Sequence, residues 1–552
     1  MVSFVSAYFR ALSLPWDTCM KRSISSFALL LTSVSAILGS GWLFATLYTS
    51  QLAGPSAMLA WIIGGLLNIV IAYVFAELSA MLPITGSSTR IPLFTHGRSA
   101  SFMFAWAIWL SYMAMVPTEV QAVLQYVSYY APGLVHANGG LTAEGYWAAT
   151  GLMIALSALN VFSLRWLLRA NSFLTIIKVV VPVVVVLAMV MELHGSHDAH
   201  VSLTEHFMPY GWRGVFQAIV TGGILFAFNG FKQACEMAGE AKRPSRALPI
   251  AIVGSVVVCL VVYALLQLVF LRSLTPHNLA TGWQHLVLAT RNSPFVSVVN
   301  QDHLHALVPL LYIGAIVGPL AAGLMYVSSS SRSVFAMSEN QQLPSVFLKL
   351  TTQGNPSYAI ILNFVLGMLM FAPLPGWDKM VTFLTSLMLV TYALGPVCMM
   401  ALRRQVPDFP RPFRLPFGMV WSYLAFAICT ALTYFTGWTI IYKLCIAMVI
   451  GLLVFVGHQY ALKRSGHEVK DPNWRASIWV WPFFAGLGVL SYLGGFGGGL
   501  GVIPFGWDMV ILAVFCLAIF ALAIKYRLPS DETQAYIDAC GLPNRMEATE
   551  GA

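Results

Sequence analysis

Charge is what this sequence lacks. Only 9% of its 552 residues are Asp, Glu, Lys or Arg, against about 25% in a soluble globular chain. Hydrophobic residues make up 58%, more apolar surface than a water-soluble fold can bury. Catalytic signatures are missing as well: no phosphate-binding Walker loop, zinc-protease helix or nucleophile elbow occurs. The chain is therefore not expected to be an enzyme, and no metal or cofactor is expected. The run Gly494 to Gly501 lacks the spacing of a dinucleotide fingerprint and the soluble helix that would follow it, so it reads as a turn. Cysteines are few, and all eight fall inside apolar stretches or in segments read below as cytoplasmic, so no disulfide is expected. The formal charge is +9, but the Lys and Arg are scattered between apolar segments rather than grouped on one face, which argues against nucleic acid as a partner.

What is abundant is apolar stretches long enough to cross a bilayer, which takes about 20 helical residues each. Breaking the chain at polar and turn-rich points gives fourteen: approximately 26–50, 55–82, 100–130, 144–164, 171–193, 213–238, 249–272, 305–337, 357–374, 377–402, 417–435, 439–461, 476–499 and 505–527. They lack the alternation of barrel strands, so they must be helices. Arg10, Lys21 and Arg22 precede the first span, and alternate loops carry Arg90 and Arg98, Arg165 and Arg169, Lys242 to Arg246, Lys349, Arg403 to Arg414, and Lys463 to Arg475. By the positive-inside rule these loops and both termini are cytoplasmic, in a cell (inner) membrane. The longer external loops, about 194–212 and 273–304, are rich in histidine. The tract HGSHDAH (His194, His197, His200) reads as a polar external loop rather than a metal site, because no ligand geometry is defined.

Two spans are interrupted at mid-membrane. Span 1 contains ILGSGWLF, with Gly39, Ser40 and Gly41 in an otherwise apolar helix, and span 6 contains FAFNGF, with Asn229 and Gly230. Glycine permits local unwinding, which frees backbone N–H and C=O groups for a polar solute. Each interrupted span opens a set of five, and because five is odd the second set enters the membrane inverted. The alternative for each motif is close helix packing through small residues; their matched placement favours a broken-helix site. The division expected is a cytoplasmic segment (1–24), a first five-helix repeat (25–193), its inverted counterpart (194–402), four further helices (403–527) and a cytoplasmic tail (528–552).

ILGSGWLF, FAFNGFKQACEMAGEAKRPSRALPIAI (Phe226 to Ile252), SRSVFAMSENQQLP (Ser331 to Pro344) and LRRQVPDFPRPFRLP (Leu402 to Pro416) together resemble the amino acid, polyamine and organocation transporters, over roughly residues 25–462. The resemblance implies an all-α membrane protein of LeuT-like five-plus-five fold, here with about 14 helices, twelve family-like plus two C-terminal. It also implies that a substrate carboxylate meets the N–H groups around Gly39, Ser40 and Gly41. The ammonium would meet carbonyls at Ile37, Phe226, Ala227 and Asn229, beside Gly230, and Phe226 would be the aromatic that shuts the outer path.

Ionisable groups inside spans cost at least about 2.5 kcal/mol on the mildest scale. Lys178, in SFLTIIKVVVPVV, matches a span 5 lysine of proton-coupled members, which implies a role in proton coupling, with Ser328 or Ser329 as neighbours. Lys232 and Glu236, four residues apart, are expected by default to neutralise one another; alternatively Lys232 pairs with a substrate's side-chain carboxylate, with Glu119 as its resting partner or as a lining residue. Glu77 reads as a packing or gating contact. PITGSSTRIP (Pro83 to Pro92) is similar to the acidic-amino-acid and aspartate–proton branch. The functional expectation is a proton-coupled symporter of an amino acid, aspartate or glutamate leading. The alternatives are an amino acid/decarboxylation-product antiporter, a polyamine or neutral/cationic amino acid permease, and a membrane nutrient sensor.

Overall fold

The computed structural model describes residues 24–84, 87–136, 138–162, 164–195, 201–351, 354–466 and 471–539, with the backbone alone for 162, 164–173, 194 and 195. The tract from 196 to 200, and with it His197 and His200, lies outside the described residues. Among those residues the chain is helical, with isolated bridges in place of strands. Among the described residues ten helices are long and apolar enough to cross a membrane, and two shorter apolar ones, Ser26–Ile37 and Ser357–Met370, accompany them. The protein is a multi-pass membrane protein.

Span 1 is two helices, α1 (Ser26–Ile37) and α2 (Gly41–Ala53). Leu38, with ψ of 77°, ends α1 and turns the chain out of its helical path. Next come α3 (Ala57–Met81) and α4 (Ser87–Val127). The second begins earlier than the apolar run suggests, because Gly97 (φ 74°, ψ −170°) joins a short leading helix, Ser87 to His96, to the span proper. The helices α5 (Ala143–Phe162) and α6 (Leu164–Gly195) follow.

Span 6 is broken twice, into α7 (Gly211–Val220), α8 (Ile224–Ala227) and α9 (Lys232–Glu236). Between α8 and α9 lie Asn229 and Gly230, as the sequence suggests; the second break, at Thr221 to Gly223, has Gly223 at φ 94°. Beyond are α10 (Pro244–Arg272), α11 (Pro294–Gln301), α12 (Val308–Glu339), α13 (Ser357–Met370) and α14 (Trp377–Gln405). The chain closes with α15 (Gly418–Phe435), α16 (Trp438–Arg464), α17 (Val480–Leu493), α18 (Trp507–Lys525) and α19 (Ser530–Ala539).

The basic ends of the helices are tied together. Arg403, in the last turn of α14, donates to both carboxylate oxygens of Glu77 in α3, at 2.8 and 2.7 Å, and Leu415 N–H donates to the same carboxylate. Glu77 is thus a packing contact, and all of its charge is met. The C-terminal stretch docks at the same end: Leu528 N–H donates to Thr95 O and the Thr533 hydroxyl to Phe94 O, each at 2.8 Å, while Tyr536 stacks on Phe94. Gln405 Nε2 donates to both Leu528 O and Thr95 O. The helices beyond the twelfth span therefore hold the leading segment of α4: a ring nitrogen of His96 also bonds Ala523 O of α18.

Candidate functional site

The broken spans lie against each other at their breaks. At Gly230 (φ 132°) an added Cβ would sit 2.5 Å from the carbonyl carbon of Ala36, so this approach of α1 requires a residue without a side chain. Gly41 packs likewise on Ala227. The structure thus brings together Ile37, Gly39, Ser40 and Gly41 with Phe226, Ala227, Asn229 and Gly230, all of them buried.

Side chains from distant helices hold the freed peptide groups. Glu119 of α4 accepts the Ser40 N–H at 3.2 Å through Oε2, and its Oε1 points at Gly39, where a Cβ would lie 2.8 Å away. Among the described residues Oε1 has no hydrogen-bond partner. Glu119 is therefore not the resting partner of Lys232; its carboxylate is turned to the span 1 break. The hydroxyl of Tyr263 in α10 bridges two carbonyls assigned to the ammonium, Ile37 O at 2.9 Å and Ala227 O at 3.0 Å. The Asn229 amide donates to the Tyr326 hydroxyl at 3.2 Å and accepts from the Tyr392 hydroxyl at 3.0 Å.

Lys178 of α6 is buried, and its Nζ donates to Ser35 O of α1 at 2.9 Å rather than to Ser328 or Ser329. Thr175, one turn earlier, donates to the Ser35 hydroxyl. The ammonium thus holds the last turn before the span 1 break, and its charge attracts that of Glu119. These two opposite charges share one small region of low dielectric, where neither is cheap alone.

Lys232 lies on the other side of the span 6 break. Its Nζ sits over the rings of Tyr392 and Phe75, at 5.2 and 5.3 Å, and the residue is 6% exposed. It makes no direct ion pair with Glu236, but each is the principal opposite charge acting on the other, so the neutralisation expected for this spacing works through space rather than by contact. Aromatic faces stabilise a desolvated cation by about 2 kcal/mol, less than a carboxylate would supply. Lys232 also borders two cavities. One, of about 10 Å³, is lined by Ser111, Asn229, Gln233 and Tyr326 among others; the second, of about 20 Å³, lies against Ser87 and Ser88 at the start of α4. Each has room for about one water.

Residue type gave no signal for Tyr263, Tyr326, Tyr392 or Trp377. Each is an aromatic in an apolar run, indistinguishable along the chain from core packing. Trp377 lies at the head of α14, and its indole Nε1 donates to the Ser40 hydroxyl at 3.0 Å.

The amino acid permease family profile matches residues 24–455, most of the chain and both breaks. The chain belongs to the amino acid permease family. This permease is 34% identical to a glutamate/serine transporter of Bacillus subtilis, over 92% of its own length and 94% of that protein's. It is 30% identical to the aspartate-proton symporter of the same organism, over 92% and 97% of the two chains. A branched-chain amino acid permease of that bacterium is 25% identical over 81% of this chain and 95% of its own. The permease's helical architecture is that of the amino acid, polyamine and organocation transporters, LeuT-like.

Proposed function

We propose that this permease is a proton-coupled symporter of acidic amino acids, aspartate or glutamate, lying in the cell membrane with its basic loops and termini cytoplasmic. The observation that carries the substrate class is Lys232, a buried cation beside the span 6 break whose ammonium rests over aromatic rings without a direct ion pair, Glu236 acting on it only through space. The relatives' names, a glutamate/serine transporter and an aspartate-proton symporter, support the same class.

In this reading the substrate's α-carboxylate takes the N–H groups of Ser40 and Gly41, and its ammonium takes carbonyls at Ile37, Phe226, Ala227 and Asn229. The side-chain carboxylate meets Lys232, and Phe226 shuts the outer path. The Ser40 N–H is held by Glu119, so substrate and Glu119 compete for one donor. A proton delivered to the Lys178–Glu119 pair removes the negative charge that holds this amide, and the substrate carboxylate replaces it. Proton and substrate thereby enter together, since neither change is favourable without the other. Alternating access then exposes the site to either side.

Uptake by proteoliposomes, with and without an imposed pH gradient and with a panel of amino acids, tests this. Accumulation of labelled aspartate or glutamate that requires the inward proton gradient is expected. Accumulation that ignores the gradient and requires an internal counter-substrate would replace symport by exchange, and no accumulation of acidic substrates would remove the substrate assignment.

A further inference from the structure

Trp377 reaches the span 1 break through the Ser40 hydroxyl, and it is fully buried. Its indole stacks on Phe44 and Tyr48 of α2, with centroids 5.0 and 5.8 Å away and planes 28° and 11° apart. Phe226 of α8 meets it edge-on at 5.5 Å. A Cβ on Gly223 would lie 2.9 Å from its Cη2, so the second break of span 6 leaves room for this ring and little else. The indole Nε1 is bonded to the Ser40 hydroxyl, and the backbone N–H to Gln125 Oε1 of α4, at 3.1 Å.

One residue therefore touches both broken spans, through its ring, and the span that carries Glu119, through its backbone N–H. It lies at the end of α14 opposite Arg403 and Arg404, the external end when the basic loops are cytoplasmic. It is also the first residue of its helix, preceded by Gly376 in a conformation, φ 90° and ψ 154°, that side chains rarely adopt. Pro373 and Pro375 stiffen the loop before it. A ring on the first helical residue, next to a glycine, can swing with a change at one backbone position.

We propose that Trp377 is the outer lid of the permease site: a gate residue that closes over bound substrate with Phe226 and is latched by its indole N–H on the Ser40 hydroxyl. The proposal rests on the transport site proposed above. The latch places the lid's hydrogen bond on the same residue whose N–H receives the substrate carboxylate, so lid closure and substrate seating act on one peptide unit. Outward opening requires the indole to leave Ser40, Phe44 and Tyr48 together.

The test is retention of bound substrate. Wild type, Trp377→Phe and Trp377→Ala are loaded with labelled aspartate in proteoliposomes, and release into excess unlabelled medium outside is timed alongside the number of binding sites. With the lid removed, Trp377→Ala is expected to release aspartate at least about tenfold faster at an unchanged number of sites. Trp377→Phe keeps the ring and loses the latch, and about a fivefold faster release is expected, matching the loss of one hydrogen bond. A purely structural tryptophan would lower the number of sites and leave the release rate of the remainder at the wild-type value, and that result overturns the proposal. Should Trp377→Ala fail to fold, Trp377→Phe decides: release at the wild-type rate overturns the latch and with it the lid. Wild type that retains serine but not aspartate would remove the acidic-substrate reading alone, and the same three proteins are then compared with labelled serine. Retention of no amino acid by wild type would overturn both.

Discussion

Glu119 and Ser40 are joined across the site, the carboxylate of one accepting the backbone N–H of the other at 3.2 Å. An amide assigned to substrate is thus held by the protein's own carboxylate, at the point where α1 has ended and α2 has not yet begun. The second carboxylate oxygen has no hydrogen-bond partner among the described residues and faces Gly39. Glu119→Gln keeps an acceptor for Ser40 and cannot take up a proton. Accumulation driven by the pH gradient is expected to be lost, while exchange of labelled for unlabelled aspartate persists within about threefold of wild type. Parallel loss of both activities, with a normal number of binding sites, would count against a role in coupling.

Lys178→Met addresses the other half of the pair. It removes the cation that donates to Ser35 O and preserves most of the side-chain volume. Gradient-driven accumulation is expected to vanish. Undiminished accumulation would take proton coupling away from this lysine.

Lys232→Ala is expected to weaken acidic substrates selectively. A charge-assisted hydrogen bond contributes about 1.5–3 kcal/mol, so inhibition constants for aspartate and glutamate should rise roughly 10- to 100-fold, while serine changes less than about threefold. Equal losses for serine and aspartate in a competition assay would point to folding. The aromatic cradle of Phe75 and Tyr392 predicts that Lys232→Arg retains part of the acidic preference.

The pair at the basic end is structural. Glu77→Gln leaves the part-buried Arg403 guanidinium facing a neutral amide, its partner's charge gone, and loss of about 3–5 kcal/mol is expected, the usual cost of breaking a buried ion pair. Thermal unfolding in detergent, followed by loss of the monodisperse peak, measures it. The double variant Glu77→Leu, Arg403→Met should unfold at a higher temperature than either single variant.

Truncation after Arg527 removes the bonds from Leu528 and Thr533 to the leading segment of α4. That segment covers the cavity bordered by Ser87, Ser88 and Lys232. In a chain whose native cysteines are replaced, Ser88→Cys should then react several-fold faster with a thiol reagent applied from the face that carries the basic loops. An unchanged labelling rate would show that the tail does not restrain this segment.

Legibility along the chain differed between the helices and what sits between them. The breaks at Gly39 to Gly41 and Asn229 to Gly230 could be read because glycine's backbone freedom is local, and a polar interruption stands out in an apolar run. The second break of span 6, at Thr221 to Gly223, was missed, since a Thr-Gly-Gly sequence in a membrane helix is equally compatible with close packing. Lys178 and Lys232 stood out by the cost of charge in lipid, but their direct contacts did not: Lys178 meets a carbonyl, which every residue has, and Lys232 lies against rings, with Glu236 acting on it only through space.

By itself the sequence determined that this chain lives in a bilayer, that its spans are helical, and that two of them are interrupted at mid-membrane, because hydrophobic length and backbone freedom are properties of short stretches. Only the tertiary structure decided which side chains meet the freed peptide groups. Glu119 reaches Ser40 across 79 residues, Tyr263 reaches Ile37 across 226, and Trp377 reaches Ser40 across 337. Such meetings depend on how helices pack, and a hydrogen bond between distant residues leaves no mark in the periodicity of either segment.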